Sequence, residues 1–258
     1  MRPYFEWRDA PIAKFAVLGD PISHSLSPKM FNAVLSTGKY VALRVPESEF
    51  SEALDHLTAL GYVGVNATLP LKFAARDWAT SCDPEGVEAI NCLRLSDRAG
   101  ANTDIDGIQA RIPASAKRAL VLGAGGTAYS AVRACLARGL SVKVWNRTRP
   151  RALELGAKFP GVEIHPELTV AGFDTVIQTT SAERFGEPLH IDWKGEPGFF
   201  LDVNYVEGAT TQACRDAQAA GWQAEDGIGV LVAQAVAAYR FWTGETLDAD
   251  RMERAASA

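Results

Sequence analysis

Short apolar runs closed by glycine, proline or asparagine recur along this chain, separated by longer stretches with helical spacing. The first run, FAVLGD at residues 15–20, is stopped by Gly-Asp-Pro and reads as a buried strand and turn. Ser27-Pro28 then reads as a helix N-cap followed by proline at the first helical position, with Met30, Phe31, Val34 and Leu35 continuing the helix. VALRV (41–45) is a second strand. Phe50, Leu54 and Leu57 give an apolar stripe to a helix from Glu47 to Leu60, ended by Gly61. GYVGVNATL (61–69) is a third strand, and Lys72 begins another helical stretch. This alternation of strand and helix argues for a parallel sheet covered by helices.

A second block of the same kind begins at RALVLGAGG (118–126). Its first strand leads into a helix through Ala131, Val132, Cys135 and Leu136, ended by Gly139, and SVKVWNR (141–147) is the next strand. A helix around Arg151–Lys158 precedes a short strand near Val162–His165, and FDTVIQTT (173–180) and GFFLDVNY (198–205) are further strands. From Ile228 the pattern is helical again, IGVLVAQAVAAYRFWTG, closed by Gly244. Composition shifts near Gly107–Lys117, around IPASAK, and the boundary between the blocks is expected there.

At 258 residues the chain has room for two small domains, and its 47% hydrophobic and 22% charged residues are those of a globular protein with a proper core. The net charge of −5 gives no reason to expect a nucleic acid or an anionic membrane as partner. The N-terminal stretch has charges and no apolar core of a secretory signal, and no apolar run is long enough to span a bilayer. Cys82, Cys92, Cys135 and Cys214 are scattered, with no CxxC pair and no histidine at zinc spacing. They read as free thiols in a reducing compartment, so a cytoplasmic location is expected and no metal site is.

Two places carry candidate chemistry. Gly123-Ala124-Gly125-Gly126-Thr127-Ala128 lies between a strand and a helix, as a dinucleotide fingerprint requires. Gly123 permits the tight turn, Gly125 lets the backbone approach a pyrophosphate, and the small Ala128 allows close helix–strand packing. The helix N-terminus adds unpaired N–H groups and a positive dipole for the phosphates. A carboxylate at the end of the next strand would select NAD, but this strand ends in Asn146-Arg147-Thr148-Arg149. Two guanidinium groups and a hydroxyl suit a 2′-phosphate, so NADP is the expected cofactor.

The first block holds polar groups at its strand ends: Ser25 and Ser27 in SHSLSP; Asn66, Thr68 and Lys72 in NATLPLK; Asn91, then Asn102-Thr103-Asp104. Converged, they would make a hydrogen-bonding site for a polyhydroxylated molecule. Serines before proline are also common helix caps and asparagines common turn residues.

GDPISHSLSPKMFN, NATLPLK, AINC…ANTDxxG, VLGAGGTA, NRT and GVLVAQA occur in the order found in shikimate dehydrogenases, which the chain resembles from about Phe15 to about Leu247. The resemblance implies that Ser25 and Ser27 bind the substrate carboxylate. It implies that Lys72 and Asp104 are the catalytic pair, and that Asn66, Thr68, Asn91, Tyr205 and Gln234 hold the substrate. Gly227 would lie near the nicotinamide. A lysine ammonium beside the developing alkoxide of a reduced ketone can donate the proton and stabilise charge.

The implied fold is α/β throughout: a three-layer α/β substrate domain (1–107) and a Rossmann-type dinucleotide-binding domain (108–227), with C-terminal helices (228–258) packing back on the first. The crevice between the domains, at strand C-terminal ends, would hold both ligands. The implied reaction is the reversible NADPH-dependent reduction of 3-dehydroshikimate to shikimate. A broader quinate/shikimate dehydrogenase and a non-catalytic ligand-sensing relative are the alternatives; Ser25 and Ser27 tilt against the first, the Lys72/Asp104 pair against the second. The apolar final helix could cover the first domain or a second copy of the chain, so a homodimer stays open. The sequence departs from the family at Cys92, where threonine is usual, and at 177–185. There Gln178 replaces an asparagine, and Phe185 is the candidate to fill the space of an absent methionine.

Overall fold

The computed structural model describes residues 4–182 and 186–258, which form two compact units divided after Thr103 and Val230: the described residues up to 103 with 231–258, and those from 104 to 230. Phe185 lies outside the described residues.

The first unit is built on a seven-stranded sheet in the order β1-β3-β2-β4-β6-β7-β5. The strands are β1 (Phe5–Glu6), β2 (Phe15–Gly19), β3 (Tyr40–Arg44), β4 (Gly64–Ala67), β5 (Ser81–Asp83), β6 (Cys92–Arg94) and β7 (Ala99–Ala101). Helices α1 (Ser27–Val34) and α2 (Phe50–Ala59) make the crossovers between β2, β3 and β4, and α3 (Lys72–Trp78) follows β4. The central strands are buried along their whole length, which is why they read as continuous apolar runs rather than alternating ones.

The expected parallel sheet needs correction here. β6 is antiparallel to both of its neighbours, β4 and β7, so one strand runs against the other six. The residues before Cys92 therefore lie at the end of the sheet where β4 finishes. The helix expected from Glu47 opens with a 3₁₀ turn (Glu47–Glu49) before α2 begins. Ser27 is the first residue of α1 rather than its cap; Leu26 holds the cap position and offers no side-chain bond.

α4 (Thr103–Gln109) leads into the second unit, whose sheet is parallel throughout, in the order β10-β9-β8-β11-β12-β13. These strands are β8 (Arg118–Leu122), β9 (Ser141–Trp145), β10 (Glu163–Ile164), β11 (Thr175–Gln178), β12 (Phe199–Asp202) and β13 (Gln223–Glu225). Counted along the chain, that order is 3-2-1-4-5-6, the doubly wound arrangement of dinucleotide-binding folds, with its switch point between β8 and β11. α5 (Gly126–Ala137), α6 (Arg149–Ala157) and α7 (Gln212–Ala219) are its helices. β9 stops at Trp145, so Asn146 and Arg147 stand in the turn beyond it rather than on the strand.

The chain returns to the first unit within α8 (Ile228–Thr243) and ends in α9 (Ala249–Ser257). Trp242 of α8 explains the return: it is buried, stacks on Phe15 at 5.1 Å between ring centroids, and donates its indole N–H to the Leu93 carbonyl at 3.0 Å. A Cβ on Gly64 would meet that indole at 2.4 Å, so the glycine leaves room for the ring.

Candidate active site

Reversal of β6 gathers the polar groups of the first unit. Asn66 is opposite Cys92 across the β4/β6 pair, and Cys92 is opposite Ala101 across β6/β7. Asn91, Asn102 and Thr103 thus emerge at the sheet end where NATLPLK leaves β4. Backbone bonds stitch these loops together: Ala67 N–H to Asn91 O (2.9 Å), Thr68 N–H to Leu18 O (2.9 Å), Asp20 N–H to Leu69 O (3.1 Å) and Ile90 N–H to Lys72 O (2.9 Å). That end carries the switch point between β3 and β4 on either side of β2, where open α/β sheets place ligands.

The side chains fall into two groups. Lys72 is half-buried at the first position of α3, and Thr68 is half-buried just ahead of it. Asn91 is buried and tightly held. Its Oδ1 accepts from the Thr103 backbone N–H at 2.7 Å, and its Nδ2 donates to Thr103 Oγ1 (3.0 Å) and to Gln234 Oε1 (3.3 Å). Gln234 in turn donates to the Leu231 carbonyl at 2.9 Å. Asp104 follows directly on the pinned Thr103, half-buried in the first turn of α4.

Asn66 is of a different kind. Its Oδ1 accepts from the Tyr40 hydroxyl at 2.7 Å and its Nδ2 donates to the Asn91 carbonyl at 3.0 Å. Tyr40 is fully buried and stacked on Phe31 with ring centroids 4.1 Å apart. The Asn66 amide is thus a brace between β3 and the Asn91 loop. Ser27 is buried, and its backbone N–H lies 3.4 Å from Ser25 Oγ. Thr103 stands among the polar groups expected to converge, though the family resemblance gives it no role; Tyr40 was not among them and has no motif around it.

In the second unit the glycine loop follows β8 at the switch point. Gly123 has φ +126°, and a Cβ there would meet Thr179 Oγ1 at 2.3 Å, so only glycine fits. Gly125 differs: a Cβ on it would meet nothing within 4 Å. No packing within the chain explains that glycine, whereas a pyrophosphate drawn against the backbone does. It caps α5 without a side-chain bond, leaving Gly126, Thr127 and Ala128 to present the N–H groups of the first turn. Ala124 and Thr127 are half-buried beside it, and Ala128 is fully buried against the sheet. These residues fit a dinucleotide.

Beyond β9, Asn146 Nδ2 donates to Thr148 O at 3.0 Å and shapes the turn that carries Arg147. Arg147, Thr148 and Arg149 are exposed, and Arg147 Nη1 lies 2.5 Å from Glu187 Oε2. Gln178, the departure from the family pattern, is buried and closes a small ring with Thr180: Nε2 to Thr180 Oγ1 at 2.9 Å, Thr180 N–H to Oε1 at 3.0 Å. Asn204 donates to the Thr180 carbonyl at 2.8 Å and ties that ring to the end of β12, beside half-buried Tyr205. A Cβ on Gly227 would meet Val203 O at 2.2 Å, so the glycine is needed for the chain's approach to the same strand end. Among the described residues no group of three His, Cys, Asp or Glu could hold a metal ion, and no helix is long and apolar enough to cross a membrane.

Family models match three segments: "Shikimate dehydrogenase substrate binding domain" over 17–93, "Shikimate / quinate 5-dehydrogenase" over 108–185, and "Shikimate 5'-dehydrogenase C-terminal domain" over 227–256. The shikimate dehydrogenase (NADP(+)) of Hyphomonas neptunium is 34% identical over 248 residues, 88% of this chain and 90% of the relative. The chain belongs to the shikimate dehydrogenase family. The enzyme of that name from Thermus thermophilus is 35% identical over 259 residues, covering 94% of this chain and 97% of the relative. A crystal structure of the Thermus thermophilus shikimate 5-dehydrogenase in complex with NADP(H) and shikimate superimposes with a TM-score of 0.83 at 34% identity, over 94% of this chain and 97% of that one. The family membership predicted from the ordered motifs is thereby established, as is the α/β fold.

Proposed function

We propose that this chain reduces 3-dehydroshikimate to shikimate with NADPH and runs the step in reverse with NADP. Family membership supports the reaction. The assignment of residues rests above all on the reversed strand β6, which brings Asn91 and Thr103 to the sheet end that carries Lys72.

The Ser25 and Ser27 hydroxyls receive the substrate carboxylate, and Thr68, Asn91, Gln234 and Tyr205 orient the ring hydroxyls. Asn66 acts one step back, holding the Asn91 loop through its bond to the Asn91 carbonyl. Lys72 is the general acid: its ammonium gives a proton to the ketone oxygen as that oxygen gains charge, and in the oxidative direction the neutral amine takes the proton back. Asp104 orients and neutralises the ammonium. NADPH, when bound, supplies the hydride for the ketone carbon. Backbone N–H groups of Gly125, Gly126 and Thr127 would take its pyrophosphate, Ala124 and Ala128 would keep the loop close to the sheet, and Gly227 would border the nicotinamide. Asn146, Arg147, Thr148 and Arg149 take the 2′-phosphate.

The quinate-using reading has one support, the "Shikimate / quinate" model, but that match covers 108–185 and none of the serines at the carboxylate. The free cysteines support a reducing compartment, the cytoplasm, and the net charge of −5 supports a protein without a nucleic-acid partner.

The test is Lys72→Ala, assayed by absorbance at 340 nm with shikimate and NADP. Turnover should fall by about 10²-fold or more, the usual range for a lost general acid, while shikimate affinity changes far less. Near-normal turnover would overturn the assignment. Quinate, run beside shikimate, decides between the two substrate readings.

A further inference from the structure

We propose that Glu187 sets the cofactor preference of this enzyme by competing with the 2′-phosphate of NADP for Arg147. The inference rests on the reading of Arg147 given above.

Dinucleotide folds that choose NAD place a carboxylate at the end of the second strand. This chain has Asn146 and Arg147 there, yet a carboxylate reaches the same place from a distant segment. Glu187 lies 40 residues further on, and its Oε2 stands 2.5 Å from Arg147 Nη1. Its backbone N–H donates to the Ala182 carbonyl at 2.9 Å. Both side chains are largely in solvent, 69% and 59% exposed. Such a pair adds little to stability and opens easily. Its consequence is chemical: the guanidinium proposed for the 2′-phosphate already carries an anion.

A phosphate monoester brings more charge and three oxygens to the guanidinium fork and displaces a single carboxylate. The carboxylate must then leave or remain beside a second anion, and either raises the free energy of the NADP complex. NAD brings only a ribose hydroxyl and meets no such opposition. Glu187 therefore weakens NADP binding selectively and leaves an enzyme less strict than Arg147 alone would make it.

The test compares four proteins, wild type, Glu187→Gln, Arg147→Ala and the double variant, with apparent KM for NADP and for NAD measured at saturating shikimate. Glu187→Gln should lower the KM for NADP by about two- to fivefold, the range open to an exposed ion pair, and leave NAD unchanged. The gain should shrink at high salt, where exposed charges are screened. In the Arg147→Ala background the Glu187 substitution should have no effect. An unchanged KM for NADP in Glu187→Gln overturns the proposal, as does a raised KM for NAD, which would make Glu187 a ribose acceptor. If Arg147→Ala itself leaves NADP unaffected, the reading of Arg147 falls and the proposal with it. If Arg147→Ala weakens NADP while Glu187→Gln changes nothing, only the proposal falls.

Discussion

Asn91→Ala removes the side chain that pins the start of α4. In the native chain the Thr103 backbone N–H donates to Asn91 Oδ1 at 2.7 Å, and both residues are 3% exposed. Truncation leaves that N–H without its acceptor in a buried place, and strips one partner each from Thr103 Oγ1 and Gln234 Oε1. An unsatisfied buried donor costs about 1–3 kcal/mol and an ordinary lost bond about 1 kcal/mol, so destabilisation of about 2–4 kcal/mol is expected. Thr103→Val is the matched control. It keeps the backbone N–H on Asn91 and loses only the hydroxyl contacts, so it should cost about 1 kcal/mol. Urea unfolding followed by far-UV circular dichroism reads both. Because Asp104 follows Thr103 in α4, kcat should fall more in Asn91→Ala than in Thr103→Val. Equal cost in the two variants would show that the backbone bond is not the pin.

Gly125→Ala should fold with wild-type stability, since its Cβ meets nothing, yet bind NADP at least tenfold more weakly; Gly123→Ala should lose stability as well, by about 1–3 kcal/mol for a strained left-handed residue. Wild-type NADP affinity in Gly125→Ala would remove the pyrophosphate from that loop. Burial pushes the Cys135 thiol up to about 12 and the Cys214 thiol up to about 11, and Cys92 is also buried, so a thiol reagent at mild alkaline pH should label only half-buried Cys82 quickly and all four in denaturant. Fast labelling of two or more in the native protein refutes that burial. Burial, with Lys143 adding, holds His165 below its ordinary value, so the unfolded chain takes up the proton first and stability is lost as pH falls through about 6.5. His165→Leu should flatten that loss between about pH 7 and 5, and an unchanged pH profile of unfolding would refute it.

The second unit was the more legible of the two. Its strands β8, β11 and β12 are buried runs between turn residues, the signature of a parallel sheet covered on both faces, while β9 alternates, with only Val142 and Val144 buried. The first unit misled at β5, β6 and β7, which have three residues each. Three residues carry too little periodicity to announce a strand, still less its direction. The hint lay in Ser96-Asp97-Arg98 between β6 and β7, where Arg98 takes φ +54° and turns β6 back into β7. α7 and β13 were missed for a related reason: QACRDAQA has a narrow apolar face, and QAE is short and polar on the outside. Ser27 was misread because serine before proline signals a helix start without saying whether the serine caps the helix or begins it.

Within the site, the sequence marks where polar groups interrupt apolar strands but not how their hydrogen bonds are spent. Asn66 and Asn91 look alike in that respect, each a lone amide beside buried apolar residues. Their partners differ. Tyr40, 26 residues away from Asn66, donates to its oxygen and turns that amide into a brace, while the Asn91 oxygen pins the start of α4 and its nitrogen reaches Gln234, 143 residues away. Arg147 poses the same problem on the surface, since its nearest anion is 40 residues on and carries no motif. In each case the residue type narrows the chemistry to donor, acceptor or charge. Long-range pairing then decides whether that capacity is open to a ligand or already committed within the fold. The Glu187 and Asn91 variants probe that distinction directly, one by freeing a group for its ligand and the other by removing a group that holds its neighbours in place.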